Sequence, residues 1–376
     1  MHAPSSLTMP FSRRLLLQWG ALGGLGLIAG CSPPAAARLL YSRGDLPAAW
    51  LKRLPDPWRS KAEESPAAAL AGLPEADLLQ WPDGWLQELG ATQLQPFTPP
   101  GTTGAAELFA RLAPFAEPVS HLFAEQPPTS AATATAATAA AAPAPASSPP
   151  LAYPWAFGTW LLVLRNRRDL AERRSEGWNL LLDARLKGLV VLPSSPRVVI
   201  ELALRQIGRS SRESAVLADP RLLPQLRRLR GQARAFDDRD GLNLLLRGKA
   251  EAAVVPSQRL LPLLRSDSRL TALLPASGSP LWWNLLVRPA GSREPAPLAW
   301  LRQAGEAPLL ARLLAAGWVP PLRRQLLEPA LAQWPQPMAA LLYPEPAVLA
   351  NCNSLPPLAA AERNLYQQLW DRAAAV

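Results

Sequence analysis

Leu189-Val190-Val191-Leu192-Pro193-Ser194-Ser195-Pro196-Arg197-Val198-Val199-Ile200-Glu201-Leu202 reads as a strand, a polar break and a helix start. The run over residues 189–192 is short and wholly apolar, as in a strand buried on both faces. Ser195 stands at an N-cap position with Pro196 at N1, where proline's missing N–H costs nothing. Val198, Val199, Leu202 and Ile207 then recur at helical spacing until Gly208 stops the helix. The same alternation extends outward in both directions. Upstream, residues 39–42 read as a first strand, with a turn at Arg43-Gly44-Asp45 and a helix over 48–54. A second strand over 76–81 is followed by a helix over 85–89, and a further strand spans 161–165. Downstream come a helix over 242–247, a strand over 252–255 stopped by Pro256, and strands over 271–274 and 281–287. After Pro297 the chain reads as helices, the last over 358–372. Strands alternating with helices predict an α/β fold with mostly parallel sheets.

The first thirty-one residues belong to a different kind of segment. Arg13 and Arg14 are the only charges before Cys31, and residues 15–30 are apolar and rich in Leu and Gly. That stretch has the length of a signal core and is short for a membrane span. Ser12-Arg13-Arg14-Leu15-Leu16-Leu17 resembles a twin-arginine export signal, although a paired arginine also suits the general export route. Ile28-Ala29-Gly30-Cys31 is similar to a lipobox, which implies acylation of the thiol and cleavage just before Cys31. The alternative is an anchor helix with a chance cysteine. Gly20, Gly23, Gly24 and Gly26 follow no strand and are not a nucleotide fingerprint.

Removal of the signal leaves about 345 residues, a length that suits two lobes better than one core. Residues 130–150 contain only Ala, Thr, Ser and Pro and carry no charge. Such a segment cannot bury a core and is expected to be a disordered insertion. Acylation of Cys31 leaves Cys352 without a disulfide partner. Net charge is +10, and the two signal arginines account for part of it. Arginine dominates the basic residues but is scattered, with no zinc-finger or helix-turn-helix spacing, so no nucleic-acid partner is expected. His121 is the sole histidine after the signal, and no metal pair, nucleophile elbow or phosphate loop is present. The sequence therefore predicts no enzyme, no catalytic residue, no metal and no cofactor.

Several segments, in order, resemble the extracellular solute-binding proteins of ABC importers, in the spermidine/putrescine-binding branch. They are Asp77-Leu78-Leu79 with Asp83-Gly84-Trp85-Leu86, then Pro154-Trp155-Ala156-Phe157-Gly158-Thr159. Trp178-Asn179-Leu180-Leu181-Leu182-Asp183 with Lys187-Gly188 follows, then the helix opened by Ser194. Leu274-Pro275, Gly278-Ser279, Leu281-Trp282-Trp283-Asn284, and finally Tyr366 with Trp370 complete the series. The resemblance implies a two-lobe periplasmic-binding-protein-like α/β fold with mostly parallel sheets and a hinge of crossing strands. Lobe 1 is expected over 38–165 plus 284–318, lobe 2 over 166–283, and helices packing on both over 319–376. It further implies a small-molecule solute, an ABC permease as partner, and a periplasmic protein lipid-anchored to a membrane.

A polyamine needs carboxylates at its ammonium groups and aromatic faces along its methylenes. The resemblance points to Asp45, Asp83, Trp160, Ser195, Trp282, Trp283 and Asn284 as ligand-binding residues. Ser195 and Asn284 stand where the family supplies acids, and Pro256 stands where it places a tryptophan. Each position also has a plainer reading. Ser195 suits a helix cap, Asp45 and Asp83 suit turns beside Gly, and Trp282 and Trp283 alternate faces so that only one is expected to line a cleft. Ser194 and Ser195 before Pro196 alternatively suit a carboxylate or phosphate, with Arg43 assisting. A scaffold or assembly lipoprotein that kept the fold and lost transport is the remaining alternative.

Overall fold

The computed structural model describes residues 36–123, 148–213, 215–238 and 240–374. Arg13, Arg14, Cys31 and most of the 130–150 segment lie outside the described residues. Ten strands are present among those described: β1 (Arg38–Ser42), β2 (Arg59–Glu63), β3 (Leu78–Pro82), β4 (Leu94–Gln95), β5 (Ala152–Arg165), β6 (Val190–Leu192), β7 (Ala233–Phe236), β8 (Ala252–Pro256), β9 (Leu270–Leu273) and β10 (Leu281–Pro289). They join in the order β2-β1-β3-β10-β5-β8-β6-β7, with β4 on β10 and β9 on β5. β1 runs parallel to β2 and β3, and β6 runs parallel to β7 and β8. Between these two parallel groups lie the long strands β5 and β10, antiparallel to each other and to their neighbours. The result is an α/β fold of two lobes, each with its own parallel strands, joined by crossing strands.

β5 shows how one strand serves both lobes. Its first part, through Phe157, is buried in the core that holds Trp50, Trp81, Trp300 and Leu313. From Trp160 onward its side chains alternate between two other cores. Trp160, Leu162 and Leu164 face the Pro196–Gln206 helix, while Leu161 and Val163 face Leu245 and Leu260. The passage from one lobe to the other therefore falls at Gly158–Thr159. The expected boundary at 165 falls at the far end of the same strand. β5 also starts at Ala152 rather than at the expected 161. Pro154 and Gly158 read as strand breakers in sequence. Here a register shift between Asn284 and Leu285 of β10 makes an irregularity opposite Pro154, where the missing donor is tolerated.

The strands absent from the sequence reading are the two-residue β4 and, at the two sheet edges, β2 and β7. β2 is Arg-Ser-Lys-Ala-Glu and shows no buried side chain. Charge on an edge strand deters pairing with other chains, and it also hides the strand from any apolar pattern. The helix expected over 48–54 stops at Leu51, the one expected over 85–89 is a 3-10 turn over Asp83–Glu88, and the last helix is Ala360–Ala374. None of the described helices is long and apolar enough to cross a membrane.

The first lobe is organised around indole rings. Trp50 and Trp300 stack with centroids 4.0 Å apart, and each donates its Nε1–H to the other's carbonyl oxygen at 3.0 Å. Trp155 packs on Trp50 at 5.0 Å and on Trp318 at 4.9 Å, and Trp318 meets Trp282 edge-on at 6.0 Å. Aromatic pairs of this kind contribute about 1 kcal/mol each beyond area burial. The ladder runs from the core of lobe 1 to the crossing strand β10.

In the second lobe the Pro196–Gln206 helix is pinned at its C-terminal end by a buried ion pair. Arg205 lies 3.2 Å from Glu201, and both side chains are sealed from solvent. Glu201 also accepts from Ser210 Oγ at 3.2 Å and from the Ser211 N–H at 3.0 Å. Arg205 donates to the carbonyl of Asn351 at 2.9 Å, to that of Ser277, and to the Asn353 side chain. Burial holds the Arg205 guanidinium below its ordinary pKa range. Removing one member of such a pair leaves a buried charge uncompensated. Arg205→Ala is thus expected to lower unfolding free energy by about 3–5 kcal/mol in chemical denaturation, whereas an Arg363→Ala control on the surface should move it by less than about 0.5 kcal/mol.

Candidate functional site

Four elements converge on a cavity of about 600 Å³ between the lobes. β3 ends at Pro82, and the following 3-10 turn presents Asp83, Gly84 and Trp85. The crossing strands supply Trp160 and Trp282. The first turn of the Pro196–Gln206 helix supplies Ser195, Arg197 and Val198, and the C-terminal helix supplies Arg363, Tyr366 and Gln367. Asp238 and Arg259 complete the charged wall.

Trp282 holds the central position. It packs against the core of each lobe. In the β5–β10 register it lies opposite Gly158, and its ring covers that glycine. A Cβ at Gly158 would sit 2.5 Å from Trp282 Cζ2 and 2.3 Å from Ser257 Oγ. Only glycine therefore lets the indole lie flat across the crossing strand while Ser257 Oγ accepts the Thr159 N–H at 3.2 Å. The Trp282 Nε1–H is buried without a hydrogen-bond partner.

Asp83, Trp160, Ser195 and Trp282 are thus brought together on the cavity wall, and the other sequence-derived candidates are not. Strand alternation turns Trp283 into lobe 1, where it is 1% exposed and donates to Ser354 Oγ at 2.9 Å. Its ring packs on Phe157 and Phe115. Asn284 is also buried and accepts from Gln80 Nε2 at 2.6 Å, while Gln80 Oε1 accepts the Ser42 N–H. It stitches β10 to β3 and β1 instead of facing a solute. Asp45 sits in the turn after β1, its N–H donating to the Ser42 carbonyl, and is not among the cavity-lining residues. Arg43 is likewise turned away and pairs with Glu64 on the surface.

Sequence reasoning missed Arg197, Arg259 and Arg363. For Arg197 a signal existed. A cation in the first turn of a helix opposes the positive end of the helix dipole, so its presence there calls for another reason. Its Nη1 donates to the Leu355 carbonyl at 3.2 Å and to the Pro356 carbonyl, and its guanidinium lies 5.7 Å from the Tyr366 ring centroid. Its Nε is buried without a partner. Burial lowers the Arg197 pKa, and burial likewise raises that of Tyr366.

A larger depression, of about 920 Å³, opens between residues 211–218 and the C-terminal helix and shares Arg197 and Tyr366 with the cleft. It contains no residue of β3, β5 or β10. Among the described residues no group of three or more His, Cys, Asp or Glu side chains could hold a metal.

Asp83 is the electrostatically distinctive group of the cleft. Its carboxylate accepts from the Trp283 and Gly84 N–H groups and feels Arg197, all of which favour ionisation. Desolvation between the lobes outweighs them and pushes its pKa up to about 7. The folded chain therefore holds this proton more tightly than the unfolded chain does. The stability linked to it is fully present below about pH 4 and is lost as pH rises through about 7. Asp83→Asn removes that dependence. The variant is expected to melt a few degrees above wild type at pH 8 and to match it at pH 4 in scanning calorimetry; equal melting temperatures at pH 8 would show that Asp83 is well solvated.

No known family profile matches the chain, and no curated protein matches it. Solved structures do. A protein designated a spermidine/putrescine ABC transporter from Listeria monocytogenes superposes with a TM-score of 0.62 at 17% identity, covering 91% of this chain and 99% of that one. The TpPotD lipoprotein of Treponema pallidum gives 0.61 at 14% identity, covering 90% and 98%. A GABA receptor gives 0.60 at 13% identity, covering 90% and 98%. At these identities the likeness establishes architecture: the chain has the two-lobe α/β fold of the substrate-binding proteins of ABC transporters.

Proposed function

We propose that the protein is an extracytoplasmic solute receptor for an ABC importer, held to a membrane by lipid on Cys31. One observation carries this reading. The cavity is walled by side chains from both lobes and from the strands that join them, with Trp282 packed on both cores. A solute touching all these walls would stabilise the closed arrangement of the lobes, and a permease could read that arrangement. Nothing in the mechanism asks for a reacting group.

The N-terminal sequence supports delivery to the right place. Arg13 and Arg14, the apolar run and Cys31 arrive in the order that export and lipidation require. The T. pallidum structure of the same fold is itself named a lipoprotein. The resemblance in sequence implies a polyamine-like organic cation as solute. The name of the L. monocytogenes structure agrees, and the GABA receptor shows that the fold also accommodates a different solute.

The receptor reading predicts saturable stabilisation by some small solute. Protein truncated to begin after Cys31 should gain several degrees in melting temperature at a solute concentration about 100-fold above Kd, corresponding to about 2.7 kcal/mol. Trp282→Ala should abolish the gain. A flat response across polyamines, amino acids and small anions would instead leave a scaffold that has lost transport. In the full chain, mass spectrometry should find a mature N-terminus at Cys31 carrying acyl chains, and Cys31→Ser should abolish both the acylation and the cleavage; an unmodified Cys31 in the wild type would refute the lipid anchor.

A further inference from the structure

The charge on the cleft wall is the wrong sign for a polyamine. Three arginines, Arg197, Arg259 and Arg363, line it against two aspartates, Asp83 and Asp238. Asp238 is already engaged: its carboxylate accepts from the Ser194 N–H at 2.9 Å and from the Ser194 hydroxyl. Its backbone carbonyl accepts from Arg259. Asp83 is thus the one carboxylate of the wall turned to neither a serine cap nor an arginine ion pair among the described residues. Arg363 makes no ion pair among the described residues, and Arg197 spends its hydrogen bonds on neutral carbonyls. Arg197 is offset by the nearby carboxylates of Asp83 and Glu201, so the wall keeps an excess of one positive charge, and Arg363 is the guanidinium left to carry it. A di- or tricationic ligand would meet a wall of net positive charge, which disfavours it.

We infer, resting on the receptor reading, that the cleft takes an amino carboxylate rather than a polyamine. The ammonium sits at Asp83, the carboxylate lies towards Arg197, Arg363 and the positive end of the Pro196–Gln206 helix, and the methylenes lie along Trp282 and Trp160. Guanidinium and carboxylate match in geometry as well as charge, and a helix of this length adds a favourable field at its first turn. The aromatic faces contribute apolar contact for the linking carbons and cation–π attraction near the ammonium. Proton linkage follows from the same arrangement. The ammonium needs Asp83 ionised, and that carboxyl titrates at about 7. Affinity should therefore fall by about tenfold for each pH unit below 7.

Putrescine and 4-aminobutyrate separate the two charge patterns at nearly constant size. Both have four carbons and an ammonium at one end, and they differ in whether the far end is a second ammonium or a carboxylate. Titration calorimetry with these two, spermidine and 5-aminovalerate is expected to show an amino carboxylate binding at least about tenfold more tightly than either polyamine at pH 7.5. Arg363→Gln, on an exposed face, should weaken that binding at least about threefold without shifting the melting temperature, and Arg197→Gln should weaken it more. Putrescine or spermidine binding as well as the amino carboxylates would overturn the inference and leave the receptor reading intact. Unchanged affinity in both arginine variants would overturn it too. No binding by any of the four, nor by a wider panel of amino acids and anions, would overturn both.

Discussion

Everything in this molecule depends on the antiparallel pairing of β5 with β10. Trp282 faces Gly158 in that ladder, Leu281 faces Thr159, and the pairing continues through Val287 opposite Ala152. Each strand is hydrophobic on both faces because each is buried on both faces, first by one lobe and then by the other. A one-residue slip would exchange the two faces of β10 and put Trp283 at the cleft in place of Trp282. The irregularity between Asn284 and Leu285 and the glycine at 158 fix the register against that slip. The position of the cavity is thus set by the strands that connect the lobes, and the lobes themselves supply the charges.

Where the sequence was legible, a local physical signal existed. The buried strand at Val190–Leu192 and the Ser195-capped, Pro196-started helix could be read because apolar run, cap and periodicity all agree. The same holds for β1, β3, β8 and β10, whose cores are apolar. The edge strands β2 and β7 could not be read, since neither buries a full face and both carry arginine. The first half of β5 was hidden by Pro154 and Gly158, residues whose tolerance depends on the partner strand. At the site, alternation along β10 correctly says that only one of Trp282 and Trp283 can face the cleft, but not which one. That choice is made by the register with Gly158, a tertiary fact. Asn284 illustrates the same limit, because an amide at a strand end serves a solute or a neighbouring strand equally well, and here Gln80 claims it.

The arginines of this chain have two kinds of work, and composition alone cannot separate them. Arg205, Arg212, Arg227 and Arg230 bind the C-terminal segment to the second lobe through its backbone carbonyls, at Asn351, Ala350, Arg372 and Trp370. Arg230 also lies 3.8 Å over the Trp370 ring. Planar guanidinium groups with several donors suit this role, since each can collect carbonyls that no helix or sheet satisfies. A high arginine content here reflects a structural need for donors as much as any field presented to a partner. Arg363 differs from that set because it stands at the cavity without such carbonyls, and Arg197 belongs to both, lining the cavity while donating to the Leu355 and Pro356 carbonyls.

The Pro196–Gln206 helix unites these roles in one rigid body. Its first turn faces the cleft with Ser195 and Arg197, and its last turn carries Arg205, locked by Glu201 to the loop at Ser210–Ser211 and to the hinge segment around Asn351 and Asn353. Asn353 in turn pairs with the crossing strand, its carbonyl accepting from Leu281 at 2.8 Å, one residue before Trp282. Gly278, on the same segment, has φ of +78°, and a Cβ there would meet the Asn351 carbonyl at 2.3 Å, so the hinge chains pass each other with no room for a side chain. A helix of eleven residues does not bend appreciably over that distance. The helix therefore links the cavity wall at its first turn to the segment around Asn351 and Asn353 at its last turn. The charge of the cavity wall and the packing of the second lobe meet in this single element, which is why its cap, its unusual first-turn arginine and its buried ion pair are best understood together.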